Sequence, residues 1–196
     1  MQLEEIAAGL QRWTTRHDEW NEPVASLATE TGEGLVLIDP LDPPPAVGVP
    51  AHVLLTVYWH GRSAATIGAP RIWASTRSVR ALRSREITVT DAFRAGDDLP
   101  GGIRALQTPR AAEVVYWLPE HRALVVGDVL LGAGARPHPT ADPLRLCPER
   151  WLGTGTHDDL RAMLRPLLAL PVERVLVSHG EPILSGGLDA LAAVLS

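Results

Sequence analysis

Apolar residues in this chain come in runs of three to five, each halted by a turn-forming residue, and that pattern excludes an architecture of long helices. Leu35-Val36-Leu37-Ile38 is stopped by Asp39-Pro40, Ala123-Leu124-Val125-Val126 by Gly127-Asp128, and Val175-Leu176-Val177 by Ser178-His179-Gly180. Such short continuous runs read as strands buried on both faces. Glycine and proline, 17 of each among 196 residues, make up about one residue in six, a density that fits many short elements.

Further strands are expected at residues 24–30, 52–57, 71–74, 87–90, 103–106, 113–118 and 123–126. The turn Thr31-Gly32-Glu33-Gly34 makes a hairpin of its flanking runs, and Pro119-Glu120-His121-Arg122 makes a second. Val79 and Leu82 suggest a short helix over 76–84. The clearest helix starts at Thr156, whose partner three residues on, Asp159, completes a capping-box pair. Leu160, Met163, Leu164, Leu167 and Leu168 then share one face, and Pro171 is expected to end it. A buried-type strand at 174–178 and a closing helix at 188–195 follow. No repeat or low-complexity linker interrupts the chain, so the expectation is one mixed α/β domain over 1–196 with two sheets.

All 18 basic residues are arginine, which excludes any lysine-based chemistry. The net charge of −5 argues against general nucleic-acid binding. Cys147, the only cysteine, allows neither an internal disulfide nor a thiolate zinc cluster. The opening Met1-Gln2-Leu3-Glu4-Glu5 lacks a secretory pattern and no apolar run suits a membrane helix. The expectation is a cytoplasmic protein without membrane contact.

Polar residues at the ends of apolar strands are the places to look for chemistry, because a sheet edge holds side chains rigidly. Three stand out: Thr56-Val57-Tyr58-Trp59-His60-Gly61-Arg62-Ser63, Gly127-Asp128, and Ser178-His179-Gly180-Glu181-Pro182. The other five histidines (17, 52, 121, 138, 157) show no ligand spacing. Gly132-Ala133-Gly134 follows a strand, but Pro137 and Pro139 preclude the helix a dinucleotide site needs. Arg77, Arg80, Arg83 and Arg85 read as a solvated helix face. Six tryptophans against one Phe and two Tyr suggest that some line a cleft.

In this order, Leu37-Ile38-Asp39-Pro40, His52-Val53-Leu54-Leu55-Thr56, Gln107-Thr108-Pro109, Tyr116-Trp117-Leu118-Pro119-Glu120, Leu124-Val125-Val126-Gly127-Asp128-Val129-Leu130 and Ser178-His179-Gly180-Glu181-Pro182 resemble the metallo-β-lactamase superfamily, over residues 24–185. The resemblance implies a four-layer αββα sandwich with a dinuclear site at one edge. It also exposes departures. The family's His-x-His-x-Asp-His positions fall on Val57, Trp59, Gly61 and Arg62, and the next histidine falls near Ala111. Only Asp128 and His179 remain as ligand types.

Two readings follow. In the first, the dinuclear site is degenerate. Arg62 pairs with Asp128 in place of a metal, Trp59 fills the lost volume, and no cofactor is bound. The cleft of Trp59, His60, Arg62, Asp128 and His179 then binds a small ligand or a protein partner without hydrolysis. In the second, the loop is displaced by one residue. His60, Asp128 and His179 then hold a single divalent metal, zinc or iron, for cleavage of an ester, thioester or lactone-type bond. A structural subunit that buries its tryptophans in a homo-oligomer is a third class.

Overall fold

The computed structural model describes residues 3–19 and 21–196. Two strands that sequence reading left out open the chain: β1 (Leu3–Ala7) and β2 (Leu10–His17). They run antiparallel into β3 (Glu22–Thr31), which forms the expected hairpin with β4 (Gly34–Ile38). β5 (His52–Leu55), β6 (Arg71–Ser75) and β7 (Asp91–Phe93) extend this sheet in parallel, giving seven strands in sequence order. The strand expected at 87–90 is absent. Those residues are the approach to β7, with Ile87 buried and Thr88 and Thr90 exposed.

A second sheet holds β8 (Arg104–Gln107), β9 (Val114–Leu118), β10 (Ala123–Val126) and β13 (Arg174–Val177), in the order β13-β10-β9-β8. β9 and β10 form the expected second hairpin, and β13 joins β10 in parallel. A two-stranded ribbon, β11 (Leu130–Gly132) and β12 (Leu144–Leu146), lies between β10 and β13 in sequence.

Strand alternation explains why the apolar runs are continuous. Val36, Ile38 and Leu54 meet Tyr116, Val125 and Leu176 in the core between the sheets. Leu37, Val53 and Leu55 face the other way, toward Leu82 of α1 (Val79–Arg83). Val115, Trp117, Leu124 and Val126 face outward from the small sheet. They pack with Leu160 and Leu164 of α2 (His157–Leu164) and Leu191 of α3 (Gly187–Val194). Helix, sheet, sheet and helix thus form four layers, the architecture expected from sequence.

The Thr156–Asp159 capping box is formed: Asp159 N donates to Thr156 Oγ1 at 3.1 Å and Thr156 N to Asp159 Oδ2 at 2.8 Å. α2 ends at Leu164, earlier than expected. Pro166 has no N–H for the ladder, so the chain continues as the 3-10 turn Arg165–Ala169. The four arginines of the α1 region are exposed, as a solvated face requires. No helix among the described residues is long and apolar enough to cross a membrane.

Candidate metal centre

Four strands end at one edge of the sandwich and deliver the polar groups. β4 releases Asp39. β5 leads through Thr56 into the 3-10 turn Tyr58–Gly61, which carries Trp59 and His60. β10 ends in Gly127-Asp128, and β13 in Ser178-His179. Ala25 N donates to Ser178 O at 2.8 Å and Val114 N to Thr56 O at 2.9 Å, so the two sheets are tied together beside these residues.

The two histidines converge on one carboxylate oxygen. His60 Nε2 and His179 Nε2 each lie 3.1 Å from Asp128 Oδ1. One ligand atom from each of the three residues lies within 4.8 Å of the other two, and all three residues are buried. The far side of each is held. His60 Nδ1 bonds Asp39 Oδ2 at 2.8 Å. His179 Nδ1 faces Glu22 Oε1 at 3.6 Å. Trp59 Nε1 donates to Asp128 Oδ2 at 2.7 Å. An outer shell of carboxylates and donors of this kind is what orients side chains that hold a metal. Asp39 also binds Thr56 through its N–H, at 2.8 Å, and through its hydroxyl.

Arg62 does not pair with Asp128, contrary to the sequence expectation. It sits at φ 36°, and its Nη1 donates to the carbonyls of Ala25 (3.1 Å) and Asp39 (2.9 Å). The cation beside Asp128 is Arg110, which linear reading did not single out. Its Nη1 is 2.9 Å from Glu113 Oε2 and 3.7 Å from Asp128 Oδ2, and its guanidinium lies 5.0 Å over the Trp59 ring. Glu113 was also missed. Its Oε1 accepts the N–H groups of Asp128 (2.6 Å) and Val129 (3.0 Å), fixing the turn after β10. Only glycine fits at position 127, since a Cβ there would stand 2.7 Å from Glu113 Oε1 and 2.8 Å from Thr56 Oγ1.

Charge sets the protonation of the cluster. Burial and the Arg62 charge push His60 down, but Asp128 and Asp39 outweigh both and hold it above an ordinary histidine. Burial likewise opposes the charge on His179, yet its bonds to Asp128 and Glu22 raise it to about 9. Burial would raise Asp128, and the two histidines instead hold it well below the usual carboxylate range. Burial, then repulsion by Asp128, lifts Glu113 to about 7.

The residues fit a divalent cation. His60 Nε2 and Asp128 Oδ1 are buried and meet at 3.1 Å as a charge pair without the alignment of a formed hydrogen bond, so both keep a lone pair that a cation between them could take.

The cluster adjoins a cavity of about 630 Å³ lined in part by Trp59, Asp128, His179 and Trp151. Two of the six tryptophans therefore line a cleft. Trp13 and Trp117 are core residues, Trp73 stacks under Arg71, and Trp20 lies outside the described residues. His60 is buried and Arg62 half-buried, and neither is among the residues that line the cavity. His52, His121 and His157 make bonds of their own, to Trp73, Thr29 and the Cys147 carbonyl.

No protein-family model matches the chain, and no curated protein matches it. Solved structures do. The metallo-β-lactamase FIM-1 from Pseudomonas aeruginosa, in its mono-zinc form, superposes with a TM-score of 0.69 at 15% identity, covering 99% of this chain and 93% of that one. A metallo-β-lactamase from Erythrobacter litoralis, with β-mercaptoethanol in the active site, gives 0.68 at 16% identity, covering 98% and 95%. One from Hirschia baltica gives 0.66 at 13%, covering 99% and 97%. The chain has the metallo-β-lactamase fold, and the likeness extends over its N-terminal strands as well as the segment whose motifs carried the resemblance.

Proposed function

We propose that this protein is a hydrolase that uses one divalent ion, zinc or iron, held by His60, Asp128 and His179, to cleave an ester, thioester or lactone-type bond. The observation that carries this reading is the convergence of His60 Nε2, His179 Nε2 and Asp128 Oδ1 in full burial, with two of these atoms lacking a proper hydrogen bond. A structure of this fold in a mono-zinc form, FIM-1, lends support.

When bound, such an ion supplies Lewis-acid polarisation of a carbonyl and lowers the pKa of water. The chain's own residues do the rest. Asp39 holds the proton on His60 Nδ1, which leaves Nε2 as the coordinating lone pair. Trp59 pins the outer oxygen of Asp128, so the inner one stays turned toward the histidines. Arg110 adds a fixed positive charge at the cavity, and Glu113 with Gly127 sets the backbone that places Asp128. The net reaction adds water across the acyl bond, giving a carboxylic acid and an alcohol or thiol.

One observation favours the non-hydrolytic reading, in which the cavity only binds a ligand or partner. The carboxylates of Asp128, Asp39 and Glu22 hold both histidines above their ordinary pKa, so protons compete with metal for the site. Elemental analysis of protein purified without chelator decides between them. The expected result is about one zinc or iron per chain, lost in Asp128→Ala and His179→Ala, with turnover on an ester, thioester and lactone panel that chelation abolishes. Protein that takes up neither metal on incubation would refute the hydrolase reading.

A further inference from the structure

The segment that joins β11 to β12, residues 133–143, forms part of the cavity wall through Arg136 and Pro137. It has no helix or strand of its own, and Pro137, Pro139 and Pro143 bring no N–H to a backbone ladder. Backbone bonds tie Ala133 to Glu181 and Gly134 to Thr140, but the stretch at Arg136-Pro137 is gripped by side chains from elsewhere. Arg145 of β12 is one: its Nη2 donates to the carbonyls of Ala135 (2.7 Å) and Pro137 (3.0 Å). Glu22, which opens β3, is the other. Its Oε1 accepts the Arg136 N–H at 3.1 Å. Between Ala135 and Pro139 that N–H is the only backbone donor with an acceptor among the described residues.

The Glu22 side chain is 13% exposed and lines the same cavity. The oxygen that takes the Arg136 N–H also faces His179 Nδ1 at 3.6 Å. One atom therefore touches both the wall and a candidate metal ligand, and the contact with His179 limits how the carboxylate can turn. An ionised carboxylate is a stronger acceptor for a backbone N–H than a neutral group. Pro137 adds to the apolar surface that Trp59 and Trp151 offer, since the one donor of Trp59 is engaged by Asp128. A wall held in place before the ligand arrives spares the ordering that a loose segment would cost on binding.

We propose that Glu22 is a positioning residue: through Oε1 it fastens the wall at Arg136-Pro137, and this sets how tightly the cavity holds the apolar part of a ligand against Trp59 and Trp151. That the ligand is a substrate rests on the hydrolase reading; the fastening of the wall does not.

The test is amide hydrogen exchange followed by NMR on the full chain, as purified and after chelation, for wild type, Glu22→Gln, Glu22→Ala and Glu22→Met. Gln keeps an acceptor oxygen; Met keeps the bulk without one and guards against a cavity-destabilised Ala variant. The Arg136 amide should exchange about tenfold faster or more in the Ala and Met variants, as for loss of a hydrogen bond to a charged group, while amides of β9 and β10 stay as they were. Gln should restore slow exchange to within about twofold of wild type, because its oxygen can still take the N–H. Binding of the neutral fluorescent probe N-phenyl-1-naphthylamine should weaken about three- to tenfold in Ala and Met and be kept in Gln. Unchanged exchange in both Ala and Met would mean that Arg145 holds the wall alone. That result, a Gln variant as fast as the other two, or probe binding indifferent to all three would overturn the proposal. Zinc uptake measured on the same samples keeps the two readings apart. A wall that loosens without Glu22 in protein that takes up no zinc removes the hydrolase and leaves the positioning role, and zinc uptake with a wall indifferent to residue 22 does the reverse.

Discussion

A histidine offers one nitrogen to a cation reliably only when the other is held, and His60 meets that condition through Asp39. Asp39 is buried at φ 49°, a left-handed conformation that aspartate tolerates, and it turns its carboxylate back onto Thr56 and His60. Asp39→Asn keeps the shape but presents a neutral amide to the ring. Zinc affinity, read by chelator competition, should fall about 10- to 100-fold. An unchanged affinity would mean that Asp39 serves the fold alone. At this scale the sequence showed the strand-end His60, Asp128 and His179 but not their supports. Linear spacing put Arg62 at a ligand position, while the backbone at φ 36° accompanies a guanidinium bonded to the Ala25 and Asp39 carbonyls. The readable signal for the true neighbour was the cation in Thr108-Pro109-Arg110, in the segment where the family's next histidine falls. Glu22 and Glu113 gave no such signal, because their roles arise from contacts 114 and 15 residues away in the chain.

Among elements, α2 shows what local chemistry fixes and what it leaves open. Its start was legible because a capping box needs only residues 156 and 159. Its end was misplaced because apolar periodicity continues through Leu167 and Leu168 after Pro166 has broken the ladder. The cap holds the helix whose Leu160 and Leu164 cover the outer face of the small sheet. Thr156→Ala should therefore cost about 1 kcal/mol, measured by urea unfolding. A cost near zero would mean that the helix start is held by packing instead. β1 and β2 escaped notice for the opposite reason. Their burial is partial and irregular, with exposed Glu4, Glu5 and Arg16, so no strict alternation marks them as strands.

Taken as a whole, the molecule divides its candidate ligands between its two sheets. His60 and its anchor Asp39 hang from the seven-stranded sheet, Asp128 and His179 from the four-stranded one. An ion shared among them would act as a clasp across the seam, adding to the backbone hydrogen bonds, the Trp59 and His60 contacts with Asp128 and the packing that already join the two leaves there. Cys147 is a built-in reporter of that closure. Its thiol is buried and pushed up to about 12 by that burial, so alkylation waits on opening of the fold. Zinc at 100 times its dissociation constant should stabilise the chain by about 2.7 kcal/mol. Iodoacetamide should label Cys147 faster after chelation than before, and identical rates would mean the leaves stay shut unaided. If the ion of the proposed hydrolase doubles as a fastener, scarcity of metal would lower the amount of intact protein as well as its turnover.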